Sequence, residues 1–182
     1  MNTETLSRTL IGRVFIKVLA SGMESRFRYK HYPPEKILKS VPDMNGLKVL
    51  EIGCGTGFYT IPIARLIGDN GSLTSIDILQ ESVDLVRKKT ESAGLKNVNI
   101  LKRDVINTDL PSGSFDQVIL FGVLPAPMLS LNKVLSEISR LLKPEGVLSI
   151  WPSIPGLQRS VRKSGIFLIK DRKNGVFNCC RN

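Results

Sequence analysis

The stretch "VLEIGCGTGFYTIPIARL", Val49 to Leu66, decides the fold. A short apolar run is followed at once by glycines at 53, 55 and 57, and then by a helical pattern that ends at Gly68. The run reads as a buried strand by its length and apolar character. Glycine lacks a Cβ, so a turn built on it lets backbone N–H and C=O groups meet a ligand directly. In an open α/β sheet ligands sit outside the carboxyl ends of the strands, at the switch point. A glycine turn after the first sheet strand belongs there.

Outward from this turn the pattern alternates. "SLTSIDI", "VNILKRDV", "FDQVILFG" and "VLSIW" read as strands. "QESVDLVRKKTESAG" and "LNKVLSEISRLLKPEG" read as helices, the first stopped at Gly94 and the second closed by Lys143, Pro144 and Gly146. Strands alternating with helices imply parallel βαβ units. "GIFLIKDR" and "VFNCCR" flank "KNG", and Asn-Gly between strand-like runs signals a hairpin. The expectation is an α/β, doubly wound, mostly parallel seven-stranded sheet with a C-terminal antiparallel hairpin, in Rossmann-like style. Upstream, Pro33-Pro34 start a helix at about Glu35. Before them, Leu6, Leu10, Ile11, Val14, Phe15 and Val18 recur at helical spacing, with Arg8, Arg13 and Lys17 around the rest of the helix. Residues 1–32 therefore read as an N-terminal amphipathic arm or lid, and 33–182 as one domain.

The chain of 182 residues carries a net charge of +10, unevenly placed. Residues 47–150 hold eleven basic and eleven acidic side chains, whereas 151–182 hold seven against one. A neutral middle with basic ends leaves open an anionic partner at one edge. No apolar run reaches the ~18 residues that span a membrane, and "LIGRVFIKVLA" has no basic leader before it, so no signal peptide is expected. Cys54, Cys179 and Cys180 form no disulfide framework, and with a single histidine, His31, no zinc spacing exists. Reduced thiols in a cytoplasmic protein without a metal are the expectation.

The residues around the turn discriminate between ligands. A dinucleotide site reads G-x-G-x-x-G, and here the third slot is Phe58. A pyrophosphate at a helix N-terminus wants positive potential, and Glu51, two residues before Gly53, opposes it. An acid there suits a cation. S-adenosylmethionine has no phosphate and carries a sulfonium and an ammonium. Asp77 ends the second strand, where a carboxylate accepts hydrogen bonds from ribose hydroxyls. Asp104 ends the third, within reach of an adenine amino group. A strand end often carries a polar residue for no functional reason. Three acids at three successive strand ends are harder to explain that way.

"VLEIGCGTG", "LTSIDI", "LKRDV", "FDQVILFGVL" and "LLKPEGVLSIW" resemble the successive motifs of class I S-adenosylmethionine-dependent methyltransferases. The resemblance runs from about Pro34 to Arg181 and is greatest to the small single-domain group that includes quinone-biosynthesis C-methyltransferases. It implies that Glu51, Gly53 and Gly55 line the methionine part of S-adenosyl-L-methionine. Asp77 would bind ribose, with Ile78 against the adenine. Asp104 would read the adenine amino group beside Val105. Phe121 would border cofactor and substrate.

These motifs name no catalytic residue, because the sulfonium is already activated and the enzyme mainly aligns the acceptor and excludes water. His31 and Tyr32 read as surface or packing residues of the arm, and Tyr59 as packing or a cofactor contact. A small-molecule acceptor is the first expectation. The basic ends leave open RNA methylation, and the basic arm leaves open peripheral contact with a membrane surface. "FGVLPAP" lacks the [ND]-P-P-[YFW] pattern of base N-methylation. A cofactor-binding partner protein without activity is the alternative from another class.

Overall fold

The computed structural model describes residues 26–124 and 129–182; most of the arm lies outside them. Two short helices lead in, α1 (Arg26–His31) and α2 (Pro34–Leu38). They are followed by β1 (Lys48–Ile52), α3 (Thr60–Ile67), β2 (Ser72–Asp77), α4 (Gln80–Ser92) and β3 (Val98–Lys102). The second half comprises β4 (Phe115–Phe121), α5 (Leu131–Leu141), β5 (Leu142–Trp151), α6 (Pro155–Lys163), β6 (Phe167–Lys173) and β7 (Val176–Arg181). The seven strands form one sheet in the order β3-β2-β1-β4-β5-β7-β6. The first five are parallel, and β7 runs antiparallel to both β5 and β6. This is the expected doubly wound sheet with its antiparallel hairpin.

Chain order reverses between β1 and β4, which are neighbours, and the glycine turn follows the carboxyl end of β1. The strands alternate their side chains between two faces. Val49, Leu73 and Ile119 pack with Ile63 and Ile67 of α3 and Ile37 and Leu38 of α2. Leu50, Leu120, Leu148 and Ile150 pack with α5 and α6 on the other face. In α5, Val134, Leu135, Ile138 and Leu141 are fully buried, a stripe at helical spacing whose burial contributes about 1.5–3 kcal/mol per side chain. In α6 the stripe narrows to Leu157 and Val161.

Two boundaries differ from the sequence reading. The helix α5 stops at Leu141, because Leu142 is already extended (φ −71°, ψ 141°) and pairs with Phe115 of β4. Pro144 disfavours a helical Lys143, and Lys143 Nζ instead meets Asp116 Oδ1 at 2.6 Å. The third strand ends at Lys102, not at Asp104; Asp104 lies in a turn, its Oδ1 accepting from Ile106 N at 3.0 Å and its carbonyl from Asn107 N. The segment between the fifth strand and the hairpin is mostly α6.

Candidate functional site

The glycine turn is stitched to β2. Gly53 N and Cys54 N both donate to Ile76 O, at 2.8 and 3.1 Å, and Gly57 N closes the turn on Cys54 O at 2.8 Å. Gly53, Gly55 and Gly57 have φ of 76°, 53° and 84°, in the left-handed region that side-chain-bearing residues rarely enter. A Cβ on Gly53 would also overlap Val123 Cγ2 of the segment after β4. Shape and backbone thus both demand glycine at 53. Cys54 is buried, and burial pushes its thiol pKa up, so it serves as a small residue in the turn, not as a nucleophile.

Asp77, at the end of β2, clasps this turn. Its Oδ2 accepts from Gly55 N at 2.9 Å, and its Oδ1 from Leu79 N at 3.0 Å. Burial raises its pKa, while these backbone donors pull it back down. A carboxylate has about four lone-pair sites. The backbone N–H of Ile78 also favours the charged form of Asp77, which leaves room for a further donor from a neighbouring hydroxyl. Ile78 beside it is half-buried, and Val105, on the loop after β3, is buried. Asp104 is half-buried next to Val105.

Glu51 points beneath the turn, on the α3 face of β1, and is 3% exposed. Its Oε2 accepts from Thr60 Oγ1 at 2.7 Å and Ser75 Oγ at 2.6 Å. Burial raises its pKa to about 7, opposed by the two hydroxyl bonds and helped by the charge of Asp77. A buried acid that titrates near neutrality is in the state from which an approaching cation would draw the proton. Phe121, the last residue of β4, is buried and points to the same face. Its ring meets Tyr59 at 5.1 Å and Trp151 at 6.4 Å between centroids.

The glycines, Glu51 and Asp77 are therefore gathered around the end of β1, and Phe121 stands beside them on β4. Sequence reasoning missed three contributors. Ser75 and Thr60 secure Glu51; Ser75 is its register partner on β2 and is fully buried. The third is an aromatic wall at the ends of β4 and β5. There Tyr32 meets Trp151 at 5.7 Å, Trp151 meets Tyr59 at 6.2 Å, and Tyr29 of α1 meets Phe58 at 4.6 Å. The buried hydroxyl Thr56 Oγ1, within the turn, has no partner among the described residues. Those residues contain no cluster of metal-binding side chains, and no helix in them is long and apolar enough to cross a membrane.

Residues 43–154 match a family profile described as a methyltransferase domain. The demethylmenaquinone methyltransferase of Lactococcus lactis is 32% identical over 124 residues, 67% of this chain and 48% of that protein. The enzyme of the same name from Listeria welshimeri is 32% identical over 155 residues, 80% of this chain and 65% of that one. The chain thus spans about half to two thirds of these relatives' length. Among solved structures, an S-adenosylmethionine-dependent methyltransferase from Aquifex aeolicus superposes with a TM-score of 0.74 at 26% identity, covering 91% of this chain and 95% of the other.

Proposed function

The chain belongs to the class I S-adenosylmethionine-dependent methyltransferase family, and from that premise we propose that it transfers a methyl group to a small-molecule acceptor. The observation that carries this reading is the clasp of Asp77 on Gly55, which presents backbone and carboxylate together at the switch point. The residues fit the cofactor. Asp77 keeps capacity for a ribose hydroxyl. Ile78 and Val105 offer apolar faces to adenine, and Asp104 an acceptor for its amino group. Gly53 and Gly55 open the backbone to the methionine part, and Glu51 supplies negative charge for its ammonium. Phe121 borders cofactor and acceptor.

When bound, S-adenosylmethionine supplies a methyl carbon whose bond to sulfur breaks as the acceptor's electron pair forms the new bond. The chain's own task is alignment and exclusion of water. The aromatic wall of Tyr32, Tyr59, Phe121 and Trp151 is suited to a planar acceptor; Tyr59 and Phe121 are buried, while Tyr32 stands at the solvent edge. Residues 1–32 serve as a lid in this reading. Its described end, α1, supports this through Tyr29 on Phe58. The relatives named above act by name on demethylmenaquinone, and an acceptor of that kind is proposed here. The RNA and membrane alternatives gain no supporting contact among the described residues.

Isothermal titration tests the cofactor. S-adenosylhomocysteine is expected to bind with micromolar affinity and NAD not at all; tight NAD binding without a response to S-adenosylhomocysteine overturns the reading. A screen with labelled cofactor against metabolite and RNA pools then separates enzyme from silent binder.

A further inference from the structure

A lysine reaches the glycine turn from the helix side. In α4, Arg87 and Lys88 are exposed, whereas Lys89 is half-buried. Its Nζ donates to Thr56 O at 3.0 Å, across 33 positions of chain. The helix also packs on the turn. Cys54 clusters with Val83 and Val86 of α4. A Cβ on Gly57 would lie 3.3 Å from Val86 Cγ2 and 3.8 Å from Lys89 Cδ. The lysine stem therefore runs beside the turn, and its charged head ends on the carbonyl that precedes Gly57.

This contact completes a set. Gly55 N is held by Asp77 Oδ2 at 2.9 Å, from the side of β2. Gly57 N is held by Cys54 O at 2.8 Å. With Lys89 on Thr56 O, the peptide units on either side of the Gly55–Thr56 unit are fixed. Left-handed glycines flank Thr56, and glycine is the residue with most backbone freedom to lose, so an anchor counts most here. Hydrogen bonds to a charged group are roughly twice as strong as neutral ones. The turn has one of each sign, a carboxylate on an N–H and an ammonium on a C=O. Thr56 is itself buried, and its Oγ1 has no partner among the described residues. The residue that Lys89 holds thus carries an unused hydrogen-bonding group within the turn.

We propose that Lys89 is a positioning residue for the amino-acid end of S-adenosylmethionine. It acts through Thr56: holding that carbonyl presets the turn, so that binding has less backbone to order. The identity of the ligand rests on the methyltransferase reading. In that reading the adenosine half meets Asp77, Ile78, Asp104 and Val105, whereas the amino-acid end meets the turn. Lys89 therefore matters to one half of the cofactor and not to the other.

The test titrates the full chain with S-adenosylhomocysteine and with methylthioadenosine, which shares the adenosine half and lacks the amino-acid end. Lys89→Met keeps an unbranched stem beside Gly57 but no donor. It should bind S-adenosylhomocysteine about tenfold more weakly and methylthioadenosine as the wild type does. Lys89→Arg, with a charged donor on a long stem, should keep most of the affinity. Lys88→Met removes the same charge from the exposed neighbour and should change neither ligand. Before any ligand is added, amide exchange at Gly55, Thr56 and Gly57 should be faster in Lys89→Met than in the wild type. Equal weakening of both ligands overturns the proposal, because a merely structural lysine would spoil both halves. Unchanged S-adenosylhomocysteine affinity or unchanged amide exchange in Lys89→Met overturns it too. So does an equal loss in Lys88→Met, which would mark an effect of charge at a distance. Failure of the wild type to bind S-adenosylhomocysteine would sink the methyltransferase reading itself.

Discussion

Glu51 gives the sharpest quantitative test, because its burial sets stability against ligand binding. Its pKa in the folded chain is raised from 4.5 to about 7. Between these values the folded protein holds a proton that the unfolded chain has released. Stability from this group therefore falls as pH rises through the window, and the loss is complete above about 7. At 1.36 kcal/mol per pH unit, it amounts to about 3 kcal/mol. Glu51→Gln keeps an oxygen for Ser75 and Thr60 but does not titrate. Urea denaturation of both proteins, at about pH 5 and about pH 8, is the assay. Relative to the variant, the wild type should lose about 3 kcal/mol between the two pH values. Any fixed cost of burying the amide cancels in that comparison. The same substitution should flatten the pH dependence of S-adenosylhomocysteine binding, which in the wild type strengthens as Glu51 ionises. Equal pH slopes in urea for the two proteins would refute the claim that burial outweighs the two hydroxyl bonds and raises the pKa of this acid.

Asp77→Ala should weaken cofactor binding at least about tenfold, since charge-assisted bonds are worth about 1.5–3 kcal/mol each. It should also lower the melting temperature of the ligand-free protein, because Gly55 N and Leu79 N lose their acceptor; an unchanged melting curve counts against the clasp. Glu137 accepts from Arg140 and Thr108, and those bonds hold its pKa near 2, well below 4.5. Its contribution is present above about 4.5 and lost as pH falls toward 2. Glu137→Gln should therefore flatten the acid limb of a stability–pH curve, and an identical limb would contradict it. Deleting residues 1–32 should leave a folded domain that binds cofactor but turns over poorly. Hydrogen exchange in residues 6–20 should slow on adding cofactor, and exchange indifferent to cofactor would remove the lid.

Much of the fold could be read because hydrophobic period and glycine punctuation are local signals. Gly68, Gly94 and the Asn-Gly of the hairpin each sit where an element ends. The reading overran at Asp104 because "LKRD" is too polar to separate strand from loop by period. It missed the stop at Leu141 because the pull of Phe115 on Leu142 comes from a strand 27 positions upstream. In the site, residue identity was readable but partnership was not. Glu51 and Asp77 stand out as acids at strand ends. That Glu51 faces Ser75 depends on the register of β1 against β2. That Asp77 holds the turn depends on a contact across 22 residues. From a single sequence Asp77 looked like a ligand residue only, whereas in the structure it also maintains the shape of the turn.

The position of β7 has a consequence for how the chain assembles in time. It is inserted between β5 and β6 and pairs with both. The sheet therefore gives β6 no other neighbour: without β7 it has nothing to dock on. The nearer partner is also the cheaper one to find. Asn174 and Gly175 join β6 to β7 through left-handed φ values of 46° and 77°, while β5 and β7 must close the longer span that holds α6, and loop entropy grows with length. Pairing within the hairpin is therefore the closure of lower entropic cost, and a φ-value analysis would test whether it precedes the pairing of β5 with β7. Asn178 Nδ2 donates to Ser40 O at 2.8 Å and Asn174 Nδ2 to Ser40 Oγ at 2.9 Å. The hairpin thus ties down the segment just after α2, more than a hundred residues earlier in the chain.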